Sequence, residues 1–203
     1  MTGTLLVAAL SLALTSAPAG SSPGPVVTGG HFELGLELSS IERKAAAAAG
    51  VGTPDFGVDF GARVCFWRYL ALGAGGGLGG TRDRKSFTET TTGGTRGSSL
   101  LLHHWWIAPG VVSPGVDLSV ARTNVGLYAG YDGQFGRRSI DNCADCTDQN
   151  VHLDGGPFAE GVLALSFNEF FGVLVRYRHK LARGDIVSRV GLDVFLGHAI
   201  PPP

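Results

Sequence analysis

Two short runs and one long-range pattern supply the side chains that could do chemistry. Cys143-Ala144-Asp145-Cys146 has Cys-x-x-Cys spacing, with Asp141 and Asp148 close by. A redox role for such a pair needs a βαβ setting, and a zinc site needs a second ligand pair. The sequence offers neither. A local disulfide between Cys143 and Cys146 in an exposed loop is the favoured reading, with a metal or calcium contact or free thiols as alternatives. Cys65 is the odd thiol. The second run, His103-His104-Trp105-Trp106, could hold a metal or touch lipid headgroups. Its plainer reading is two interfacial tryptophans beside two wet histidines. Ser98 or Ser99, His103 or His104, and Glu89 contain a nucleophile, a base and a carboxylate, but their spacing gives no support for a triad. No catalytic residue, metal ligand or cofactor site is assigned. Gly75, Gly77 and Gly80 match a dinucleotide-type glycine pattern, which is rejected because no βαβ unit follows.

The long-range pattern is one of charges. Glu33, Glu37, Asp59, Arg63, Asp117, Asp132, Glu160, Arg176, Arg178, Arg189 and Asp193 each occupy the polar set of an alternating segment whose other set is apolar. Side chains on a strand point to opposite faces with period two, so each segment reads as a strand with one charged and one apolar face. Glu33, Glu160, Arg176 and Arg178 resemble an acid–base group. They equally suit a set that pairs internally and fills space inside a narrow barrel.

These charges need elements to hold them. Residues 157–177 read as a β-hairpin broken at Asn168-Glu169. Further strands are expected at 30–38, 55–66, 70–80, 108–118, 123–135 and 186–197, eight in all. On strand four, Ala108, Gly110, Val112, Val116 and Leu118 share the apolar face, and Pro109 and Pro114 argue against a longer strand. Strand three carries Gly73, Gly75, Gly77 and Gly79 on its polar side, which makes room for long side chains opposite. Connections alternate between short turns and long loops, the long ones at 39–54, 81–99 and 136–156, with a shorter one at 180–185.

Composition agrees with this division. The chain has 203 residues, a net charge of -1, 44% hydrophobic but only 16% charged residues, and 32 glycines. That is one domain, with no basic run to suggest nucleic-acid binding. Glycine at that level suits strands and turns rather than helices. Residues 1–19, with an apolar core at 5–14 and Ala17-Pro18-Ala19, read as a signal peptide. Residues 20–28 form a flexible leader, 29–197 the barrel, and 198–203 a tail. No run is long and apolar enough for a spanning helix.

The charges decide which face is inside. An arginine facing lipid costs about 2–4 kcal/mol at mid-membrane, whereas in a lumen it can meet carboxylates and water. The charged set therefore points inward, and Phe56, Val58, Phe60, Val173, Val175, Leu192 and Val194 face hydrocarbon. Cys65 falls inward near the short-turn rim. Aromatics gather at strand ends: Phe66, Trp67, Tyr69, Trp105, Trp106, Phe167, Phe170 and Phe171.

With this pattern, the loop asymmetry and the aromatic last strand VGLDVFLG, the chain resembles the eight-stranded outer-membrane barrels, the superfamily of the OmpA transmembrane domain and the opacity-type surface proteins, over residues 29–197. The resemblance implies an all-β, antiparallel, up-and-down transmembrane barrel in the outer membrane of a Gram-negative bacterium, with short periplasmic turns and long extracellular loops. It implies a structural, anchoring or surface-contact role, no enzyme activity and no large pore. The partners it implies are outer-membrane lipid and lipopolysaccharide, the barrel-assembly machinery, and an unknown surface partner. Two other readings stay open: a soluble secreted or periplasmic barrel that binds a small apolar ligand, and a lipid-modifying membrane enzyme.

Overall fold

The structure is a computed structural model that describes residues 27–41, 55–67, 69–88, 95–140, 149–182 and 186–198. The signal peptide, residues 20–26 of the leader, Glu89, the Cys143/Cys146 pair and residues 199–203 of the tail lie outside the described residues.

The strands are β1 (Val27–Ile41), β2 (Asp55–Phe66), β3 (Leu70–Thr88), β4 (Thr95–Val112), the two-residue β5 (Val116–Asp117), β6 (Arg122–Ile140), β7 (Gln149–Ser166), β8 (Phe171–Lys180) and β9 (Ile186–Gly197). Each long strand pairs antiparallel with its sequence neighbours, β4 passing over β5 to pair with β6. β1 pairs with β9, from His31 against Gly197 to Ile41 against Ile186, and this closes the ring. The result is a closed, eight-stranded antiparallel barrel with the edge problem removed.

Alternation around this ring sends every second side chain outward. On β1, Leu36 is 69% exposed while Glu37 beside it is buried. On β6, Val125, Leu127, Ala129, Tyr131 and Phe135 stand on the outside. They cover about ten residues, or about 33 Å of strand, which at a tilt of roughly 35–45° rises about 25 Å. That is the height of the apolar band of a membrane barrel.

The tight turns have local causes. Asn168 Oδ1 accepts from the amides of Phe170 and Phe171 at 2.9 and 2.8 Å, which folds the chain between β7 and β8. Trp67 takes a left-handed φ of 44° between β2 and β3, a costly conformation for a tryptophan.

Several expectations are corrected. Strand four runs Thr95–Val112, not 108–118, and its faces are reversed: Ile107 and Val111 point outward, while Ala108 and Val112 are buried inside. Pro109 interrupts pairing with β6 without shifting register, since Ile107 still meets Tyr131 and Gly110 still meets Tyr128. Pro114 lies beyond the strand. The faces were illegible because the lumen near the short turns is apolar, built from Cys65, Ala71, Ala108, Val112, Val162, Ala164, Leu174 and Phe195. At that level neither side of β4 is polar, so alternation carries no signal, and a one-residue slip exchanges the faces. Asp117 belongs to β5, where its side chain is 84% exposed and pairs with Arg122 at 3.3 Å rather than entering the lumen.

The segments 81–99 and 136–156 are not mainly loops. β3 and β4 stay paired out to Thr88 against Thr95, and β6 and β7 out to Arg138 against Gln149. Two adjacent polar strands can satisfy each other's backbone groups in water as well as in lipid, so the ladders continue past the apolar band. β1 likewise begins at Val27, inside the expected leader.

Candidate functional site

The functional candidate is the charged layer of the lumen, assembled from every long strand except β3, which contributes glycines on that face. Among the described residues, Glu33, Glu37, Asp59, Asp132, Glu160 and Asp193 are buried together with Arg63, Arg176, Arg178, Lys180 and Arg189. Acids and bases nearly balance, which is the condition for burying so many of them.

Arg63 of β2, fully buried, reaches two carboxylates. Its Nε donates to Glu33 Oε2 at 2.9 Å and its Nη2 lies 2.7 Å from Glu160 Oε1. Glu160 in turn accepts from Arg178 Nε at 2.8 Å. Both guanidiniums also approach the Trp106 ring, Arg63 at 5.0 Å and Arg178 at 4.8 Å from its centroid. Tyr128 lies under Arg63 and Phe158 under Arg178, each 4.3 Å away. Desolvated cation–π contacts of this kind contribute about 2 kcal/mol each.

Arg176 of β8 holds a second group. Its Nε donates to Asp193 at 2.7 Å, and its Nη1 lies 2.9 Å from Glu37 and 2.8 Å from Asp59. Arg189 Nη1 meets Glu37 Oε1 at 2.5 Å and His104 Nδ1 at 2.6 Å. With Nδ1 accepting, His104 Nε2 is the donor to Asp59 Oδ2 at 3.2 Å. Trp106 Nε1 lies 3.4 Å from Asp59 Oδ1, so this indole links the two groups. Nearer the long-hairpin end, Asp132 accepts from Gln134 at 2.7 Å and from the Gly156 amide at 3.1 Å, with Lys180 at 3.8 Å. Lys180 also donates to the Asp154 carbonyl.

Room for this layer comes from missing side chains. A Cβ on Gly61 would lie 2.7 Å from the Trp106 ring, and one on Gly73 2.9 Å from it. The glycines accommodate an indole as much as the arginines. Leu174, Phe158 and Phe195 fill what remains.

Ligand atoms of Glu37, Asp59 and His104 lie within 4.8 Å of one another, close enough for a metal ion by distance alone. Arg176 and Arg189 already contact all three residues, and a guanidinium cannot give up its proton. A dication would have to displace two permanent cations, so the arrangement serves ion pairing.

The His103–Trp106 run is split by the alternation of β4. His104 and Trp106 enter the lumen, whereas His103 stacks on Phe135 outside with centroids 4.8 Å apart, and Trp105 is half exposed beside Tyr131. Trp106 is thus a lumen residue, not part of an interfacial girdle. His103 and His104 point to opposite faces of one wall and cannot serve one active centre. Cys65 is a free thiol buried in the apolar end of the lumen. Sequence reasoning missed Trp106, His104 and Lys180 as members of the charged layer. The first two share the face of Ala108 and Val112, which was expected to be the outer one.

An apolar outer wall, a closed ring of eight strands and an ion-paired interior define the class: an eight-stranded barrel of the outer-membrane type. Among solved structures the chain is similar to Ail, the attachment invasion locus protein of Yersinia pestis, in complex with the heparin analogue sucrose octasulfate, with a TM-score of 0.52, 11% identity, and coverage of 83% of this chain and 97% of Ail. A second Ail crystal structure gives a TM-score of 0.51 at 10% identity over 85% and 99% of the two chains. Neisserial surface protein A aligns with a TM-score of 0.44 at 10% identity over 87% and 99%. At these identities the likeness is one of fold. No protein-family model and no curated protein matches the sequence.

Proposed function

We propose that the chain is an integral outer-membrane protein whose barrel anchors the two long hairpins, β3–β4 and β6–β7, at the cell surface, where they make its contacts. The observation that carries this reading is the inverted distribution of polarity. Leu34, Leu36, Phe56, Phe60, Leu127, Leu192 and Leu196 are exposed on the wall, while the ionic groups are inside. A continuous exposed apolar band of this extent is untenable in water and suits hydrocarbon. Its partners on this reading are outer-membrane lipid and lipopolysaccharide, the barrel-assembly machinery, and a surface partner of the hairpins. The reading includes no enzymatic step.

A filled lumen speaks against the soluble carrier, since Trp106, Arg63, Arg176, Arg178, Phe158 and Phe195 occupy the space a small apolar ligand would need. It speaks equally against a wide pore. Expressed in a Gram-negative host, the protein is expected in the outer-membrane fraction after a carbonate wash, with protease on intact cells cutting only beyond the apolar band. Recovery as a soluble periplasmic protein would overturn the reading.

A further inference from the structure

Two metal-ligating side chains stand at the short-turn end of the lumen, below the ionic layer. Cys65 of β2 is a free thiol, 1% exposed. His31 of β1 is 7% exposed, and neither of its ring nitrogens makes a hydrogen bond. A buried polar atom without a partner is rare and costly, so a bare imidazole nitrogen calls for an occupant. Register brings the two residues together. His31 pairs with Arg63 and Gly29 with Cys65, which makes His31 and Cys65 diagonal neighbours on the inner face of β1 and β2. Diagonal neighbours in an antiparallel pair are about 7–8 Å apart, somewhat less between Cβ atoms. An ion bound at about 2.3 Å to sulfur and about 2.1 Å to nitrogen can bridge side chains set so. The other two corners of this square leave room for it. Gly29 has no side chain, and a Cβ there would meet only His198. Arg63 is drawn away into the ionic layer, to Glu33 at 2.9 Å and Glu160 at 2.7 Å.

The imidazole is held from behind. Its Nε2 lies 3.5 Å from Glu33 Oε2, and its ring packs on Phe195 with centroids 5.2 Å apart. A carboxylate behind an imidazole fixes the tautomer and leaves the other nitrogen, here Nδ1, as the ligand atom. Charge then selects the ion. The neighbours at this end of the lumen include Ala71, Val112, Ala164 and Phe195. A thiolate and a monovalent cation make a neutral pair that such surroundings tolerate, whereas a dication on one thiolate would leave a buried net charge. A thiolate also favours soft metals over hard ones. Unlike Glu37, Asp59 and His104, neither ligand is already taken by a guanidinium.

We infer that Cys65 Sγ and His31 Nδ1 form a two-coordinate site for a soft monovalent metal ion, Cu(I) or Ag(I), reached from the short-turn end of the barrel. On binding, the metal replaces the thiol proton, which leaves to water, and no electron is transferred. The site concerns the lumen alone and goes beyond the surface role of the hairpins.

The test uses the protein carrying Cys143→Ser and Cys146→Ser, refolded in detergent micelles, so that Cys65 is the remaining thiol. Silver nitrate is titrated by calorimetry, with the ultraviolet absorption of the metal–thiolate bond as a second readout. One Ag(I) per chain is expected. His31→Phe, which keeps a ring against Phe195, is expected to weaken binding at least about tenfold, and Cys65→Ala to abolish it. His103→Gln, on the outer wall, is expected to change nothing. Zinc chloride is expected to bind at least about tenfold more weakly than silver. No silver uptake by the folded protein, unchanged affinity in His31→Phe, an equal loss in His103→Gln, or zinc binding as tight as silver would each overturn the site. If Cys65→Ala does not fold, the contrast between His31→Phe and His103→Gln decides alone.

Discussion

Arg176 touches Glu37, Asp59 and Asp193 within 2.7–2.9 Å, and nothing else on the described lumen wall joins those three acids. Replacing it with methionine keeps the bulk and leaves three buried carboxylates facing one another. Breaking a buried pair from one side costs about 3–5 kcal/mol, so Arg176→Met is expected to lose about that much in urea unfolding from detergent micelles. A loss under about 1 kcal/mol would mean that the ion pairs are incidental. Trp106 gives a second test at the same scale. Its ring lies 2.9 Å from where a Cβ on Gly73 would sit, so Gly73→Ala is expected to cost about 1–3 kcal/mol. Trp106→Phe should relieve part of that cost, and a double-mutant cycle should show a coupling of at least about 0.5 kcal/mol. Strict additivity would show that the glycine is not there for the indole.

At the scale of strands, the length of the hairpins is the sharpest departure from expectation. β3 and β4 are paired from Leu70 against Val111 to Thr88 against Thr95. The amides between Arg82 and Thr88 that belong to this ladder are therefore expected to resist hydrogen exchange for minutes or longer. Exchange within seconds throughout 81–88 would restore the loop. The alternation of the membrane-spanning parts of β1, β2, β6, β8 and β9 was legible because one face of each strand had to meet lipid and the other charge. The strand segments 81–88 and 95–99 were not, because beyond the apolar band no lipid forces one face of a strand to be apolar and no period is imposed. β4 failed for the opposite reason: near the short turns both of its faces are apolar, and Ala108 and Val112 look no different from Ile107 and Val111. Of the charged layer, the acids and arginines on clearly alternating strands could be read. His104 and Trp106 could not, since their membership depends on the phase of β4. Asp117 was misplaced because its strand lasts only two residues.

The whole molecule is a barrel turned inside out relative to a soluble one, and each scale rests on that inversion. Losses inside the lumen, as in Arg176→Met, are expected in any medium that keeps the barrel folded. A loss on the wall depends on hydrocarbon being there. Val175 of β8 lies between Leu163 and Leu192 on the outward face and is 45% exposed. The most direct measurement is urea unfolding of the wild type and Val175→Arg in phospholipid vesicles, beside refolding of both in buffer without lipid or detergent. The wild type is expected to fold only with the amphiphile, and Val175→Arg to lose about 2–4 kcal/mol in vesicles. If both proteins fold in plain buffer with equal stability, the wall faces water and the account is wrong.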